Sequence, residues 1–273
     1  MKLRQIILLA LLLCPFLANA DGGTGYTPGA RFAGMAGSSV IFSDTWSVLG
    51  NQAGMAGLER MSVGVSYENR FLLKETGFGA FAFQSPLGAG NIGFGVTHFG
   101  YSQFSENLFG LAYGQQLFKR LAMGVQTNYF RIHQPEDYGN LHAFSFELGF
   151  IVQATDRLRF AAHVANPYPP KIIGVQDHYL PTVIRAGAGY AFGQYVMASL
   201  EAEYNLHNDK PVFRFGLEYK SDRNYVLRTG ISNEPVIFAF GFGYNFKYFN
   251  FDLAYSYHQV LGSTPHISLG YEF

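Results

Sequence analysis

Residues 238–245 read Phe-Ala-Phe-Gly-Phe-Gly-Tyr-Asn, and residues 249–258 read Phe-Asn-Phe-Asp-Leu-Ala-Tyr-Ser-Tyr-His. In both stretches a large apolar or aromatic residue alternates with a small or polar one. Successive side chains of a β-strand point to opposite faces of the sheet. Each stretch therefore predicts a strand with one apolar and one polar face.

The alternation continues along the second half of the chain, in residues 184–192, 196–205, 213–220 and 225–232. No Asp, Glu, Lys or Arg falls on the predicted apolar face of any of these segments. A one-residue slip would move charges onto that face, at roughly 2–4 kcal/mol for each Arg or Lys near the middle of a bilayer. We therefore predict that the apolar faces meet lipid and that the charges face inward.

Composition supports a membrane barrel over a soluble domain. Only 14% of the residues are charged, against about 25% in an ordinary soluble domain, while 17% are aromatic. No run of about 18 apolar residues follows the first twenty residues, so no transmembrane helix is predicted. A closed β-barrel accommodates both facts, because its apolar residues occupy alternate positions and its backbone groups pair between strands. A soluble β-sandwich or β-solenoid is the alternative.

Earlier strands are predicted near residues 61–70, 75–84, 90–100, 107–117, 121–132, 141–154 and 158–165. With seven more between 182 and 273, the fold class is an all-β, transmembrane antiparallel β-barrel of about fourteen strands, residues 61–273. Predicted periplasmic turns are short, such as residues 118–120. Predicted outer loops are longer, such as residues 166–181, which is the usual asymmetry of bacterial barrels.

The N-terminus predicts export. Lys2 and Arg4 precede an apolar run at residues 6–17, and Ala18-Asn19-Ala20 is typical of a signal-peptide cleavage site. We expect residues 1–20 to be removed and the mature protein to lie in the outer membrane of a Gram-negative bacterium. Its 17 basic residues, which are the 19 of the full chain less two, against 19 acidic ones leave a net charge near −2.

Cys14 offers an alternative reading of this leader, as a lipoprotein anchor. The sequence Leu11-Leu12-Leu13-Cys14 lacks the small residues expected before a lipidated cysteine. Cys14 is the only cysteine of the chain, so its removal would leave no disulfide or thiolate chemistry.

Residues 21–60 do not alternate and are rich in glycine and small residues, with possible helix starts at Ser43 and Asp44. Eight-stranded barrels fill their interior with side chains, and barrels of 16–18 strands leave a channel. A fourteen-stranded barrel should therefore leave a lumen that about forty residues could block. We predict that residues 21–60 form an N-terminal plug, with a mobile periplasmic tail as the alternative.

This segment carries a resemblance to a known family. Residues 29–37, Gly-Ala-Arg-Phe-Ala-Gly-Met-Ala-Gly, are followed by Ser-Asp-Thr-Trp-Ser-Val at 43–48 and Asn-Gln-Ala-Gly-Met-Ala at 51–56. Together they resemble the N-terminal signature of the PorV/PorQ group within the FadL-like outer-membrane proteins, in a short, Bacteroidetes-type form. Gln52 departs from the proline usual there, which would loosen that turn without abolishing it. The expected plug motif comprises Trp46, Asn51, Ala53 and Gly54.

The resemblance implies a fourteen-stranded barrel with an N-terminal hatch, but two kinds of function. PorV and PorQ serve the type IX secretion system, whereas FadL moves fatty acids and other hydrophobic compounds. Fold alone cannot choose between them. Because the chain is short and its outer loops are small, we favour a role in protein export or envelope organisation, with passive transport of small hydrophobic molecules as the alternative.

The expected partners are outer-membrane lipid, the barrel-assembly machinery, and secretion-system proteins or exported cargo; a small hydrophobic ligand is the alternative partner. The chain ends in alternating residues, and we interpret Tyr271 and Phe273 as the C-terminal signal for barrel assembly. A lumenal charge network is predicted to comprise Arg185, Glu201, Glu203, Arg214, Glu218, Arg228 and Asp252. Balanced inward charge suits ion pairs that dock a plug, although wet lumenal positions also tolerate charge.

Enzymatic chemistry is not predicted. The eight histidines are scattered, and no catalytic, metal-ligating or cofactor-binding arrangement is recognisable in the sequence. The near-neutral charge and the lack of a basic tract predict no nucleic-acid binding.

Overall fold

The computed structural model describes residues 28–135, 139–174, 178–207 and 210–273. The predicted signal peptide, residues 1–20, and the first residues of the predicted plug, 21–27, lie outside these ranges. The strands are β1 Ser62–Asn69, β2 Gly77–Leu87, β3 Gly90–Gly100, β4 Ser105–Phe118, β5 Leu121–His133, β6 Asn140–Gln153, β7 Leu158–Ala165, β8 Val183–Phe192, β9 Val196–Asn205, β10 Val212–Lys220, β11 Tyr225–Asn233, β12 Val236–Phe246, β13 Phe249–His258 and β14 Gly262–Glu272.

These strands form one closed barrel, which confirms the predicted fold class. Each strand pairs antiparallel with its neighbours in sequence, and β1 closes the barrel against β14 with Ser62 opposite Glu272. The strand boundaries lie within three residues of the predicted ones in the first half of the chain.

The predicted register is also observed. On β12, Phe238, Phe240 and Phe242 are 41%, 62% and 42% exposed, whereas Ala239 between them is fully buried. The neighbouring strands β11 and β13 alternate in the same way. The outer surface of β11 to β13 is therefore apolar, and the charged side chains of these strands, Arg228 and Asp252, point into the lumen.

Within residues 28–135, 139–174, 178–207 and 210–273, helical structure is limited to short turns of three to five residues. Helix α1 spans Ala30–Ala33, and 3-10 turns span Thr45–Leu49, Gln52–Met55, Arg70–Leu72 and Lys74–Thr76. Among the described residues, no helix has the length and apolar character needed to cross a bilayer.

The two rims of the barrel differ. At one rim, named here the turn end, β2 joins β3 through Gly88 and Ala89, and β4 joins β5 through Lys119 and Arg120. At the opposite rim, named here the loop end, the connection from β7 to β8 occupies residues 166–182. Bacterial barrels usually carry short turns on the periplasmic side and long loops outside. The two rims of this barrel show the same kind of asymmetry.

Residues 28–60, named here the lumenal segment, lie inside the barrel. Its large apolar side chains form the centre of the hydrophobic core, and Phe32, Met35, Ile41, Val48 and Met55 are at most 2% exposed. The core of this protein therefore lies between the lumenal segment and the inner wall.

Inward-facing glycines let the segment approach the wall closely. A Cβ atom on Gly124 of β5 would lie 2.3 Å from the backbone carbon of Gln52, and one on Gly230 of β11 would lie 2.2 Å from that of Met35. A side chain at either position would collide with backbone rather than with a flexible side chain. The small residues of the alternating pattern thus make room for a second layer of polypeptide.

Candidate functional site

Polar contacts attach the lumenal segment to the barrel wall, and three of these attachments centre on Arg31, Glu201 and Gln52. The first is built on Arg31, which follows the start of α1. Its guanidinium donates two hydrogen bonds to the carboxylate of Glu218 on β10, each of 2.9 Å, and a third to Asp44 at 2.7 Å. Burial acts to lower the pKa of Arg31, but Glu218 and Asp44 raise it above its ordinary value. Arg31 is therefore a permanent cation held between two carboxylates.

Glu218 also connects Arg31 to the wall of the barrel. It accepts a hydrogen bond of 2.8 Å from Arg228 of β11, which in turn donates one of 2.6 Å to Asp252 of β13. The Glu218 side chain is only 1% exposed. Removing one partner from such a buried ion pair is expensive, because it leaves a buried charge without compensation.

The second attachment is a carboxylate that receives backbone donors. Glu201 of β9 accepts the N–H groups of Ser39 and Val40, at 2.7 Å and 2.8 Å. Arg214 of β10 lies 3.5 Å from Glu201 and donates two hydrogen bonds to Glu203. Glu201 thus accepts hydrogen bonds from two backbone N–H groups that lie outside regular secondary structure.

The third attachment involves Gln52, which stands at the position where the signature that residues 29–56 resemble usually has proline. Its side-chain amide donates hydrogen bonds of 2.9 Å to Gln126 of β5 and to Glu147 of β6. The turn that Gln52 begins is formed, since the side chain of Asn51 accepts the N–H of Ala53 at 3.2 Å. Glutamine therefore supplies a contact to the wall that proline could not make.

Side-chain capping explains why the other 3-10 turn of the lumenal segment, Thr45–Leu49, begins where it does. Asp44 accepts the N–H of Trp46 at 2.9 Å, and Ser47 accepts the N–H of Asp44 at 3.1 Å. The predicted helix start at Asp44 is confirmed. Trp46 is 6% exposed and covers inward-facing Gly64 of β1.

Gly54 is required by close packing. A Cβ atom there would lie 2.4 Å from the carbonyl oxygen of Phe42, whereas neighbouring Ala53 is buried without such a conflict. The four motif residues therefore belong to the fold of the lumenal segment.

Two cavities lie on opposite sides of the lumenal segment. A cavity of about 550 Å³ opens at the turn end, with Arg31, Asp44, Glu218, Lys220 and Trp46 in its lining. A second cavity, of about 170 Å³, lies toward the loop end, where its lining includes Leu49. Trp46 and Leu49 belong to the same 3-10 turn, so this turn lies between the two cavities.

The loop-end cavity has apolar walls and a polar floor. The walls are formed by Pro28, Leu49, Phe78, Phe99, Leu108, Phe130, Ala165 and Val183, and the floor by Gln126, Glu147, His163, Arg185 and Glu203, with Glu106 also in the lining. Binding sites for small organic molecules commonly combine an apolar surface with a few convergent polar groups. This cavity is therefore the candidate ligand-binding site.

His163 of β7 organises the floor. It is 1% exposed, its Nε2 lies 2.9 Å from Glu147, and its Nδ1 lies 3.0 Å from Arg185 of β8. Arg185 can only donate, so Nδ1 must accept and Nε2 must carry the proton toward Glu147. Arg185 also donates to the carbonyl oxygen of Gly50 at 3.2 Å. The neutral imidazole of His163 therefore connects Arg185, which binds the lumenal segment, with Glu147, which binds Gln52.

The structure divides the predicted charge network into separate groups. Glu218, Arg228 and Asp252 form one group at the turn end, whereas Glu201, Glu203 and Arg214 form another on β9 and β10. Among the described residues, Arg185 forms no ion pair and instead contacts His163 and the lumenal segment.

The two residues of the expected assembly signal lie at the end of β14. The rings of Tyr271 and Phe273 meet edge to face with centroids 4.8 Å apart, and Phe273 is 59% exposed. The N–H of Phe273 donates to the carbonyl oxygen of Met61 at 2.8 Å. Their role in assembly remains a prediction.

Sequence reasoning did not identify Arg31, Gln126, His163 and Glu106 as site residues. Arg31 lies in the motif that carries the family resemblance, and a single charge among the small and apolar residues 29–37 was an available signal. The other three occupy ordinary inward positions on their strands, and nothing local distinguishes them from lumenal residues elsewhere.

Comparisons with known proteins give similarity at the level of structure. No protein-family model matches the sequence, and no match is found among curated proteins. The toluene transporter TbuX of Ralstonia pickettii matches with a TM-score of 0.65 and 11% identity, over 90% of this chain and 98% of that chain. The Pseudomonas putida toluene transporter TodX matches with a TM-score of 0.64 and 13% identity, over 90% and 97%.

A FadL homologue of Pseudomonas aeruginosa matches with a TM-score of 0.64 and 12% identity, over 91% of this chain and 99% of that chain. At these identities the likeness concerns the fold. The chain therefore has the fold of the FadL-like barrels.

Proposed function

We propose that this protein lies in the outer membrane and provides a passive route for small hydrophobic molecules. The observation that carries this proposal is the loop-end cavity of about 170 Å³, whose apolar lining includes Phe78, Phe99, Leu108 and Phe130. An apolar cavity of about 150 Å³ in another protein binds benzene. The cavity is therefore suited to a molecule of about one aromatic ring.

The arrangement of the two cavities suggests the route. A ligand would reach the loop-end cavity from outside, and the turn Thr45–Leu49 would stand between it and the turn-end cavity. The turn is held by its Asp44 cap and by the bond between Asp44 and Arg31. Passage would require this turn to move, whereas the ion pairs of the wall could stay in place.

The fold comparison supports this reading over the one that the sequence favoured. TbuX and TodX are described as toluene transporters. Small outer loops led us to favour export over transport, but a binding cavity inside the barrel does not require large loops. Small outer loops are not an objection to transport if the ligand is bound within the lumen.

A PorV/PorQ-like role in export is the second candidate. It is supported by the motif in residues 29–56 and by apolar side chains on two adjacent connections of the loop end. Leu72 and Leu73 are 63% and 53% exposed, and Val260 and Leu261 are 67% and 51% exposed. Exposed apolar groups outside a bilayer commonly mark protein contacts. Crosslinking in native membranes would test this role by recovery of secretion proteins or cargo.

Filling the loop-end cavity tests the transport proposal. Leu108→Trp is expected to reduce toluene uptake at least about tenfold in cells that carry the protein in their outer membrane, because the larger ring would occupy the space of the ligand. Leu111 lies on the same strand, faces outward and is 55% exposed, so Leu111→Trp is the matched control. Uptake of labelled toluene is the measurement. Equal uptake by both variants and the wild type would refute transport through this cavity.

A further inference from the structure

The outer face of the barrel carries a row of polar side chains near the loop end of β3 to β6. His98 of β3 lies opposite Asn107 of β4. Asn107 lies opposite Arg131 of β5, and Arg131 lies opposite His142 of β6. These four residues, named here the outer polar row, therefore cross four neighbouring strands at one height. The row differs from the apolar outer face of β11 to β13.

Arg131 is the charged member of the outer polar row. Gln126 and Asn128 of the same strand face the lumen and are 2% and 3% exposed, whereas Arg131 has the opposite alternation and is exposed. Among the strand residues that the structure describes, Arg131 is the one Asp, Glu, Lys or Arg whose side chain faces outward. Within the same residues its side chain forms no hydrogen bond or ion pair. This part of the chain therefore presents a cation to the surroundings of the barrel and supplies no anion for it.

Aromatic rings lie directly below the outer polar row. The next row toward the turn end, named here the aromatic row, consists of Val96, Phe109, Tyr129 and Phe144, paired in the same order. The ring centroid of Tyr129 lies 6.2 Å from that of Phe109 and 5.1 Å from that of Phe144. Two residues of a strand span about 7 Å, so the wall changes from aromatic to polar over that distance.

This change indicates the depth of the row in a membrane. Aromatic girdles mark both interfaces of a membrane barrel, and an arginine is tolerated near an interface although it is costly at the midplane. In a bilayer, the aromatic row would therefore meet the ends of the acyl chains nearest the surface, and the outer polar row would lie at the level of the lipid headgroups.

The neighbours of Arg131 are held in place by hydrogen bonds. Nδ1 of His98 lies 2.8 Å from Oδ1 of Asn107, and Nδ1 of His142 lies 2.7 Å from the hydroxyl oxygen of Tyr129. The rings of His142 and Tyr129 are also stacked, with an angle of 13° between their planes. In the described ranges neither imidazole forms a hydrogen bond through Nε2. Both histidines therefore keep one ring nitrogen available for a ligand.

The anion that compensates Arg131 has to come from outside these strand ends. The row nearer the loop end consists of Gly100, Ser105, His133 and Asn140, paired in the same order. Neither this row nor the outer polar row contains Asp or Glu, whereas Arg131 carries a permanent positive charge. At the level of the headgroups, the anion that basic side chains meet is the phosphate of a lipid.

We propose that the outer polar row binds the phosphate of an anionic membrane lipid, with Arg131 as the charged anchor. The planar guanidinium suits two oxygens of one phosphate, and Asn107 and His142 flank it with further hydrogen-bonding groups. The acyl chains of the same lipid would lie against the aromatic row. A lipid fits better than inorganic phosphate, because only a lipid fills both rows. The inference requires the wall to meet a bilayer, but it does not depend on the loop-end cavity or on transport.

Two lipids with the same acyl chains test the inference: phosphatidylglycerol, which carries an anionic phosphate, and diacylglycerol, which carries none. The full-length protein in a non-ionic detergent is mixed with equal amounts of both, and native mass spectrometry measures how much of each stays bound. The wild type is expected to retain phosphatidylglycerol about fivefold over diacylglycerol. In Arg131→Gln this ratio is expected to fall to about one, because the amide can form hydrogen bonds but carries no charge.

Lys74→Gln is the matched control. Lys74 lies in the 3-10 turn Lys74–Thr76 at the loop end and is exposed. This variant loses the same charge outside the outer polar row, so it should keep the ratio of the wild type. Migration in gels before and after heating checks that each variant retains its barrel.

Equal retention of the two lipids by the wild type would overturn the inference. A preference that survives Arg131→Gln, or that disappears in Lys74→Gln, would overturn the role of Arg131. Excess inorganic phosphate is expected to leave the bound lipid in place, and displacement of phosphatidylglycerol would assign the row to a free anion instead. None of these outcomes bears on toluene uptake, so the proposed function is tested separately by Leu108→Trp.

Discussion

Replacing Glu218 with alanine should detach the lumenal segment from the wall at the turn end. Glu218 joins Arg31 of the segment to Arg228 of the barrel, and its side chain is 1% exposed. Its loss would leave two buried guanidinium groups that repel each other, at a cost of about 3–5 kcal/mol in the free energy of unfolding. Trp46 is the only tryptophan of the chain and lies in the lumenal segment, so its fluorescence during denaturant unfolding reports this event.

A second readout follows from the position of the segment inside the lumen. In planar bilayers the wild type is expected to show no large, steady open-channel current, and Glu218→Ala should show frequent open events. Glu272→Ala is the control, because Glu272 lines the same cavity and forms no ion pair within the described part of the chain. Equal fluorescence midpoints and equal currents for the two variants would show that Glu218 does not hold the segment.

Placing an arginine at Phe240 should destabilise the barrel in a bilayer by about 2–4 kcal/mol. Phe240 lies at the middle of β12 and its side chain is 62% exposed on the outer wall. If that wall meets acyl chains, a guanidinium there must be moved out of water into lipid. The free energy of unfolding from lipid vesicles is the quantity to compare.

The same substitution at Phe246 separates membrane depth from the loss of an aromatic ring. Phe246 lies on the same face of the same strand, at its turn end, and is 54% exposed. Near the membrane interface the cost of arginine falls to about 0–1 kcal/mol. Equal costs at Phe240 and Phe246 would contradict a lipid-facing wall.

The barrel could be predicted because the alternation of inward and outward residues that specifies it is local in sequence. Each pair of neighbouring residues, such as Ala239 and Phe240, reveals the inner and outer faces, and the penalty for a charge in lipid makes the register strict. The cap at Asp44 could be predicted for the same reason, since it depends on residues three positions apart. Strand count, closure and register follow from repetition of such local signals.

The contacts of the lumenal segment could not be predicted in this way. Arg31 and Glu218 are separated by 187 positions, and their pairing depends on how deeply the segment enters the barrel. The sequence indicated only that Gln52 loosens its turn, whereas in the structure its side chain donates two hydrogen bonds to the wall. The size of the loop-end cavity between Leu49 and Leu108 depends on how far the lumenal segment extends toward the loop end. The sequence of a single strand does not encode that distance.

The function that the sequence favoured illustrates the same limit. The motif at residues 29–56 describes how the lumenal segment folds, with Gly54 packed against Phe42 and Trp46 over Gly64. These contacts hold the segment in place and are compatible with export as well as with transport. The choice between export and transport therefore depends on the cavity.

A bromine atom offers the most direct test of that cavity. Crystals of the protein soaked with 4-bromotoluene should show an anomalous scattering peak between Phe78, Leu108 and Phe130. In Leu108→Trp crystals this peak should be lost. Peaks confined to the lipid-facing wall, with the loop-end cavity free of bromine in the wild type, would contradict the account.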